Sequence, residues 1–144
     1  MIEQDTIRLL RECDAGVRMG VDSIDDVLGH VENERMRQLL QRARDSHERL
    51  GGEIEGHLQR FEDSGKAPNP IAKTMSWMKT SMSLMMHDDD ATVASLMTDG
   101  CNMGVKSLSM YLNEYCAADE CSKDIAKRLI RLEEQLAVDL REFL

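Results

Sequence analysis

The sequence predicts an all-α fold: four long helices arranged as two hairpins, with a long crossover between helices 2 and 3 that carries a short extra helix. Three observations carry this. Small and apolar residues recur at alternating steps of three and four in four separate stretches, the spacing that keeps them on one helical face. Aromatic residues are only 3% of the chain and prolines number two, so the core is built from Leu, Ile, Val and Met with little to interrupt a helix. One convincing internal break, SGKAPN at residues 64–69, divides the helical stretches into two pairs. With 144 residues, 42% hydrophobic and 31% charged, the chain suits one domain over 1–144. A chain of that length buries roughly 68–70% of its unfolded surface.

The helices are expected at about 3–31, 34–63, 70–86, 90–116 and 121–143. In the first, Leu10, Cys13, Val17, Gly20, Ile24, Val27 and Val31 form a continuous seam. After a tight polar connection around Glu32 to Arg35, a second seam runs Met36, Leu40, Ala43, His47, Leu50, Ile54, His57 and Phe61. Asn69-Pro70 supplies a cap and a proline at the first helical position of the short crossover helix. There Ile71, Met75, Met78, Met82 and Met85 make one methionine-rich stripe, extended over about 15 Å at 1.5 Å per residue. Such a stripe suits a lid across an uneven bundle surface, or a docking surface for a partner, better than a soft-metal site, which needs its sulfurs to converge. His87-Asp88-Asp89-Asp90 closes that helix and caps the next, with divalent-cation binding as the rival reading. Met97, Cys101, Gly104, Leu108, Tyr111 and Tyr115 define the third long seam; Ile125, Leu129, Leu132, Leu136, Leu140 and Phe143 define the last.

A plain up-down bundle needs only short loops, whereas a link of roughly 25 residues lets the third long helix run parallel to the second, the one-crossover, ferritin-like antiparallel four-helix bundle. Asp14 to Gly16 (DAG) in the first helix, NPIAKTMSWMK at 69–79 and DGCNMGVKSL at 99–108 strengthen that expectation. On these motifs the chain resembles an uncharacterised bacterial family of small four-helix-bundle proteins, a domain of unknown function within the ferritin-like superfamily. The resemblance covers nearly the whole chain and implies the bundle architecture; it brings no established reaction.

A net charge of −9 argues against a nucleic-acid backbone or an anionic membrane surface as partner. Met1 to Leu10 carries Glu3, Asp5 and Arg8 without an apolar run of signal-peptide length, so a cytoplasmic protein with reduced cysteines is expected. Cys116 and Cys121 flank a turn, where an oxidised pair is geometrically conceivable.

A carboxylate-bridged di-iron site needs a Glu from each of two helices and a Glu-x-x-His pair from each of the others. Three residues before His30, His47, His57 and His87 stand Val27, Arg44, Ile54 and Leu84, so the pair is missing at every histidine. A partial polar layer survives: His47 falls mid-seam, level with Val17 to Gly20, with Glu133 at mid-height on the last helix and Cys101 a turn away on the third. Asp14, Asp45 and Glu48 are further carboxylates able to turn inward. Imidazole, carboxylate and thiolate are all ligands for zinc, iron or manganese, so His47, Glu133, Cys101, Glu48 and Asp14 are the candidate metal residues. The competing reading, favoured because no single helix has ligand spacing, is a core histidine hydrogen-bonded to Glu133 or to a backbone carbonyl, with Cys101 a small buried hydrophobe.

Glycine pairs at 16 and 20, 52 and 56, and 100 and 104 are expected to serve close packing, since each costs about 1 kcal/mol in a helix interior. His57, with Glu53 four residues earlier, reads as a helix-stabilising pair. The chain has no glycine-rich phosphate loop or nucleophile elbow. The expected function is therefore a binding, structural or stress-related accessory protein, without cofactor, forming a homo-oligomer or meeting a protein partner. The alternative is a metal-binding oxidoreductase or storage protein with a degenerate site around His47 and Glu133.

Overall fold

The computed structural model describes residues 2–61 and 89–144. They form α1 (Ile2–Leu28), α2 (Glu34–Gln59), α3 (Asp90–Glu114) and α4 (Glu120–Leu140), followed by one 3-10 turn, Arg141–Phe143. There is no strand among the described residues. The crossover helix expected at 70–86, its methionine stripe, Asn69-Pro70 and His87 lie outside them.

The starts of α2, α3 and α4 each have a local cause. Asn33 accepts from Met36 N at 3.1 Å, Asp89 from Thr92 N at 2.7 Å and Asp119 from Ser122 N at 2.8 Å. Each side chain satisfies a backbone donor that the first helical turn leaves without a partner. The capping expected of the aspartate run is thus made by Asp89, while Asp90 has a second task described below.

The helix ends differ slightly from the sequence expectation. α1 stops at Leu28 rather than 31, because the chain turns through His30 and Val31, whose amides donate to Val27 O and Leu28 O. Val31 still packs into the core. Near residue 60 the α2 ladder tightens, with Arg60 N and Phe61 N donating to His57 O and Leu58 O. Phe143 lies in the 3-10 turn.

Long-range hydrogen bonds fix the helix directions. Asp90 Oδ1 and Oδ2 accept from Glu32 N at 2.8 Å and Asn33 N at 3.0 Å, which places the start of α3 beside the α1–α2 connection. At the other end, Asp5 Oδ2 accepts from Ala117 N at 3.1 Å and Thr6 Oγ1 from Asp119 N at 2.8 Å, so the α3–α4 turn sits at the start of α1. α1 and α2 form one antiparallel pair and α3 and α4 another. α2 and α3 therefore run in the same direction.

The core divides in two. One apolar cluster, around Leu10, Val17, Ile54, Leu108 and Leu129, fills the end near the α1 start. The other, around Ile24, Val31, Met36, Met97 and Leu136, fills the opposite end. The seams read from the sequence supply most of both clusters; Leu9, Leu58, Val93, Ala94, Ala118 and Ala126 are buried outside them. Between the clusters, each helix contributes one residue to a different kind of layer: Gly20, His47, Gly104 and Glu133.

Candidate functional site

His47 is 1% exposed and Glu133 9% exposed, the two most deeply placed ionisable groups where α2 faces α4. His47 Nδ1 lies 2.7 Å from Ala43 O, and Nε2 lies 2.8 Å from Glu133 Oε1. A carbonyl can only accept, so Nδ1 must carry a proton. A second proton then sits between Nε2 and the carboxylate. Burial pushes the His47 pKa down, but the hydrogen bond and charge of Glu133, with the Ala43 carbonyl, outweigh it and hold the imidazole above its ordinary range. The pair thus shares a proton between Nε2 and the Glu133 carboxyl group, with both ring nitrogens satisfied.

One glycine makes room for it. A Cβ at Gly20 would lie 2.8 Å from His47 Cδ2. Cβ atoms at Gly16 and Gly104 would meet Leu129 at 3.5 Å and Glu133 Cδ at 3.6 Å, ordinary contact distances, and Gly52, Gly56 and Gly100 face open space. The packing reason expected for all six glycines therefore holds for Gly20 alone. Gly51, which the spacing did not single out, is the other close approach: its Cβ would lie 3.1 Å from Val17 Cγ1.

Cys101 is 2% exposed. Burial first, then the charge and hydrogen bond of Glu133, push its thiol pKa strongly up, so it remains a protonated thiol beside the carboxylate. Of the five candidate metal residues, the structure brings His47, Glu133 and Cys101 into one neighbourhood. Asp14 and Glu48 are elsewhere: both line an open groove of about 570 Å³ between α1 and α2, with Arg18, Gly51 and Gly52. Asp14 is 2% exposed; its Oδ2 lies 3.0 Å from an Arg18 nitrogen but in no hydrogen-bonding geometry. Burial raises its pKa, Arg18 lowers it and Glu55 raises it, with a net upward shift. Glu48 is exposed and pairs with Arg44 at 3.1 Å. Asp45 is likewise exposed.

The donor chemistry of the layer does not fit a di-iron centre. Among the described residues it offers one imidazole from α2, one carboxylate from α4 and one thiol from α3, and no group of three or more His, Cys, Asp or Glu side chains is arranged to hold a metal ion. The site does fit a proton-sharing pair buried between two apolar clusters.

A second cluster sits at the bundle end where α2 finishes and α4 begins. Glu53 does not serve α2 alone, as its spacing from His57 led us to expect: Arg128 Nη1 and Nη2 donate to its two carboxylate oxygens, each at 2.9 Å. His57 Nε2 lies 3.3 Å from Cys121 Sγ. Sequence spacing missed this contact, yet it follows from antiparallel helices, since His57 lies near the end of α2 and Cys121 near the start of α4. All four cysteines are free thiols.

No helix among the described residues is long and apolar enough to cross a membrane. No protein-family model, curated protein or solved structure matches the chain.

Proposed function

We propose that the protein is a ferritin-like four-helix bundle without a di-iron centre, a binding or structural accessory protein in which a buried His–Glu pair occupies mid-bundle. The observation that carries this reading is the engagement of both His47 nitrogens, by Ala43 O at 2.7 Å and Glu133 Oε1 at 2.8 Å, which leaves the imidazole no free lone pair for a metal. The shared direction of α2 and α3 supports the ferritin-like topology, because two parallel helices need a long connection between them. A buried polar pair of this type serves to fix helix register, since sliding any helix would leave a charge facing apolar neighbours.

Met103 and Met110, seven residues apart on one face of α3, are 64% and 58% exposed. They are the surface through which we expect the protein to self-associate or meet its protein partner. Light scattering on the double variant Met103→Glu, Met110→Glu should show a smaller species than the wild type; an unchanged mass would remove this face from the reading.

The second reading is a mononuclear divalent-metal site, favoured by the meeting of His47, Glu133 and Cys101. Elemental analysis of protein purified without an affinity tag separates the two. The accessory-protein reading expects no stoichiometric metal; iron, manganese or zinc at one per chain, lost in His47→Ala, would replace it with the metal reading.

A further inference from the structure

Two of the four thiols are withdrawn from chemistry by burial. Cys13 is fully buried and its pKa is pushed up to about 12, first by desolvation and then by the charges of Glu12 and Asp14; Cys101 is described above. Cys116 and Cys121 are exposed. Among the described residues, only Cys121 has an imidazole nitrogen within hydrogen-bonding reach, His57 Nε2 at 3.3 Å. This is the spacing of a nucleophile and its base.

The surroundings favour that role. Cys121 is the second residue of α4, whose cap at Asp119 leaves the helix amino end, with its partial positive charge, next to the sulfur. His57 comes from the last turn of α2, so the two groups are held by separate, packed helices. Glu53, one turn before His57, has its carboxyl held below the ordinary range first by the Arg128 hydrogen bonds and further by the charge of His57. Arg128 also binds Asp124 at 3.0 Å, one turn along α4 from the cysteine. A fixed carboxylate beside an imidazole stabilises the cation that forms when the ring takes a proton.

We propose that Cys121 is a thiol–disulfide exchange site, with His57 as its proton acceptor, that takes up small-molecule disulfides as a mixed disulfide. His57 Nε2 accepts the thiol proton, and the Cys121 sulfur attacks one sulfur of the incoming disulfide. The new bond joins Sγ to that sulfur, the original S–S bond breaks, and the departing thiolate collects the proton from His57. The Cys121 sulfur is oxidised and the departing sulfur reduced, so no further oxidant is needed.

Cys116 provides the internal reference. In Cys116→Ser protein, Cys121 is the exposed thiol; in Cys121→Ser protein, Cys116 is. With 5,5′-dithiobis(2-nitrobenzoate) as probe near neutral pH, Cys121 should react about tenfold or more faster than Cys116. Adding His57→Ala to the Cys116→Ser protein should bring the rate down to the Cys116 level, and free imidazole in the buffer should restore it. The same imidazole should leave Cys116 unchanged. With oxidised glutathione, intact mass should show one adduct, mapped to Cys121. Equal rates for the two thiols overturn the proposal, as does a His57→Ala variant that reacts undiminished or stays slow with imidazole. Circular dichroism and the silence of Cys13 and Cys101 confirm that each variant is folded; should His57→Ala unfold, His57→Gln carries the comparison, with the same loss expected and an undiminished rate again overturning it.

Discussion

A Cβ placed on residue 20 would lie 2.8 Å from His47 Cδ2 and 3.0 Å from Nε2, and the ring has no freedom to retreat because Ala43 and Glu133 hold both its nitrogens. Gly20→Ala should therefore destabilise the protein by about 1–3 kcal/mol, despite the better helix propensity of alanine. Urea unfolding measures this; a neutral or stabilising effect would mean that the ring moves freely. The same imidazole gives stability a pH signature. Its folded pKa is raised above the unfolded value of 6.5, so its contribution is fully present below that value and is lost as pH climbs through the folded pKa. The Tm difference between wild type and His47→Gln should be largest near about pH 6 and shrink as the pH is raised. A difference that grows with pH would show that His47 is neutral in the fold. Removing one member of the pair should cost about 3–5 kcal/mol, whereas replacing both with apolar residues costs much less, because a single deletion leaves the other group buried without its partner.

Helices are the scale at which the sequence was most legible. Steps of three and four from Leu10 to Val31 and from Met36 to Ile54 identify residues most of which the fold buries, because the spacing that makes a stripe is the spacing that makes a core; beyond Ile54 the seam named His57 and Phe61, whereas the fold buries Leu58. Mid-seam His47 was legible for the same reason, and its partner Glu133 could be named from hairpin level alone. Partners fixed by side-chain reach were harder to read. Glu53 stands four residues from His57, but reaches across to Arg128, while His57 turns to Cys121; intrahelical spacing carries no information about what an adjacent helix offers. The glycines show the same limit. Spacing puts Gly56 and Gly100 in the same class as Gly20, and only the packed neighbour distinguishes a glycine that makes room from one that faces open space. Gly56→Ala and Gly100→Ala, both in open space within helices, should each stabilise their helix by up to about 1 kcal/mol. A loss of stability in thermal unfolding would show that the space is used.

Across the whole molecule, the polar layer separates two apolar clusters. Shifting α1 by one turn would bring Val17 or Ile24 against His47 in place of Gly20, burying a charge against a side chain that cannot pair with it. The ties at the bundle ends add a kinetic consequence. The α1–α2 and α3–α4 pairs close through connections of a few residues, but the Asp90 tie to Glu32 spans 58 residues and the Thr6 tie to Asp119 spans 113. Loop-closure cost grows with the logarithm of that span, by about 0.6 kcal/mol per doubling, and is incurred before the contact yields anything. The two hairpins should therefore be structured in the folding transition state while the terminal ties form late. Asp90→Ala should lose about 1–2 kcal/mol of stability, and nearly all of it should appear as faster unfolding in a denaturant chevron, with the folding limb unmoved. A slowed folding limb would mean that the ends meet early. With late ties, a single half-buried aspartate governs how long the assembled bundle lasts rather than how fast it assembles.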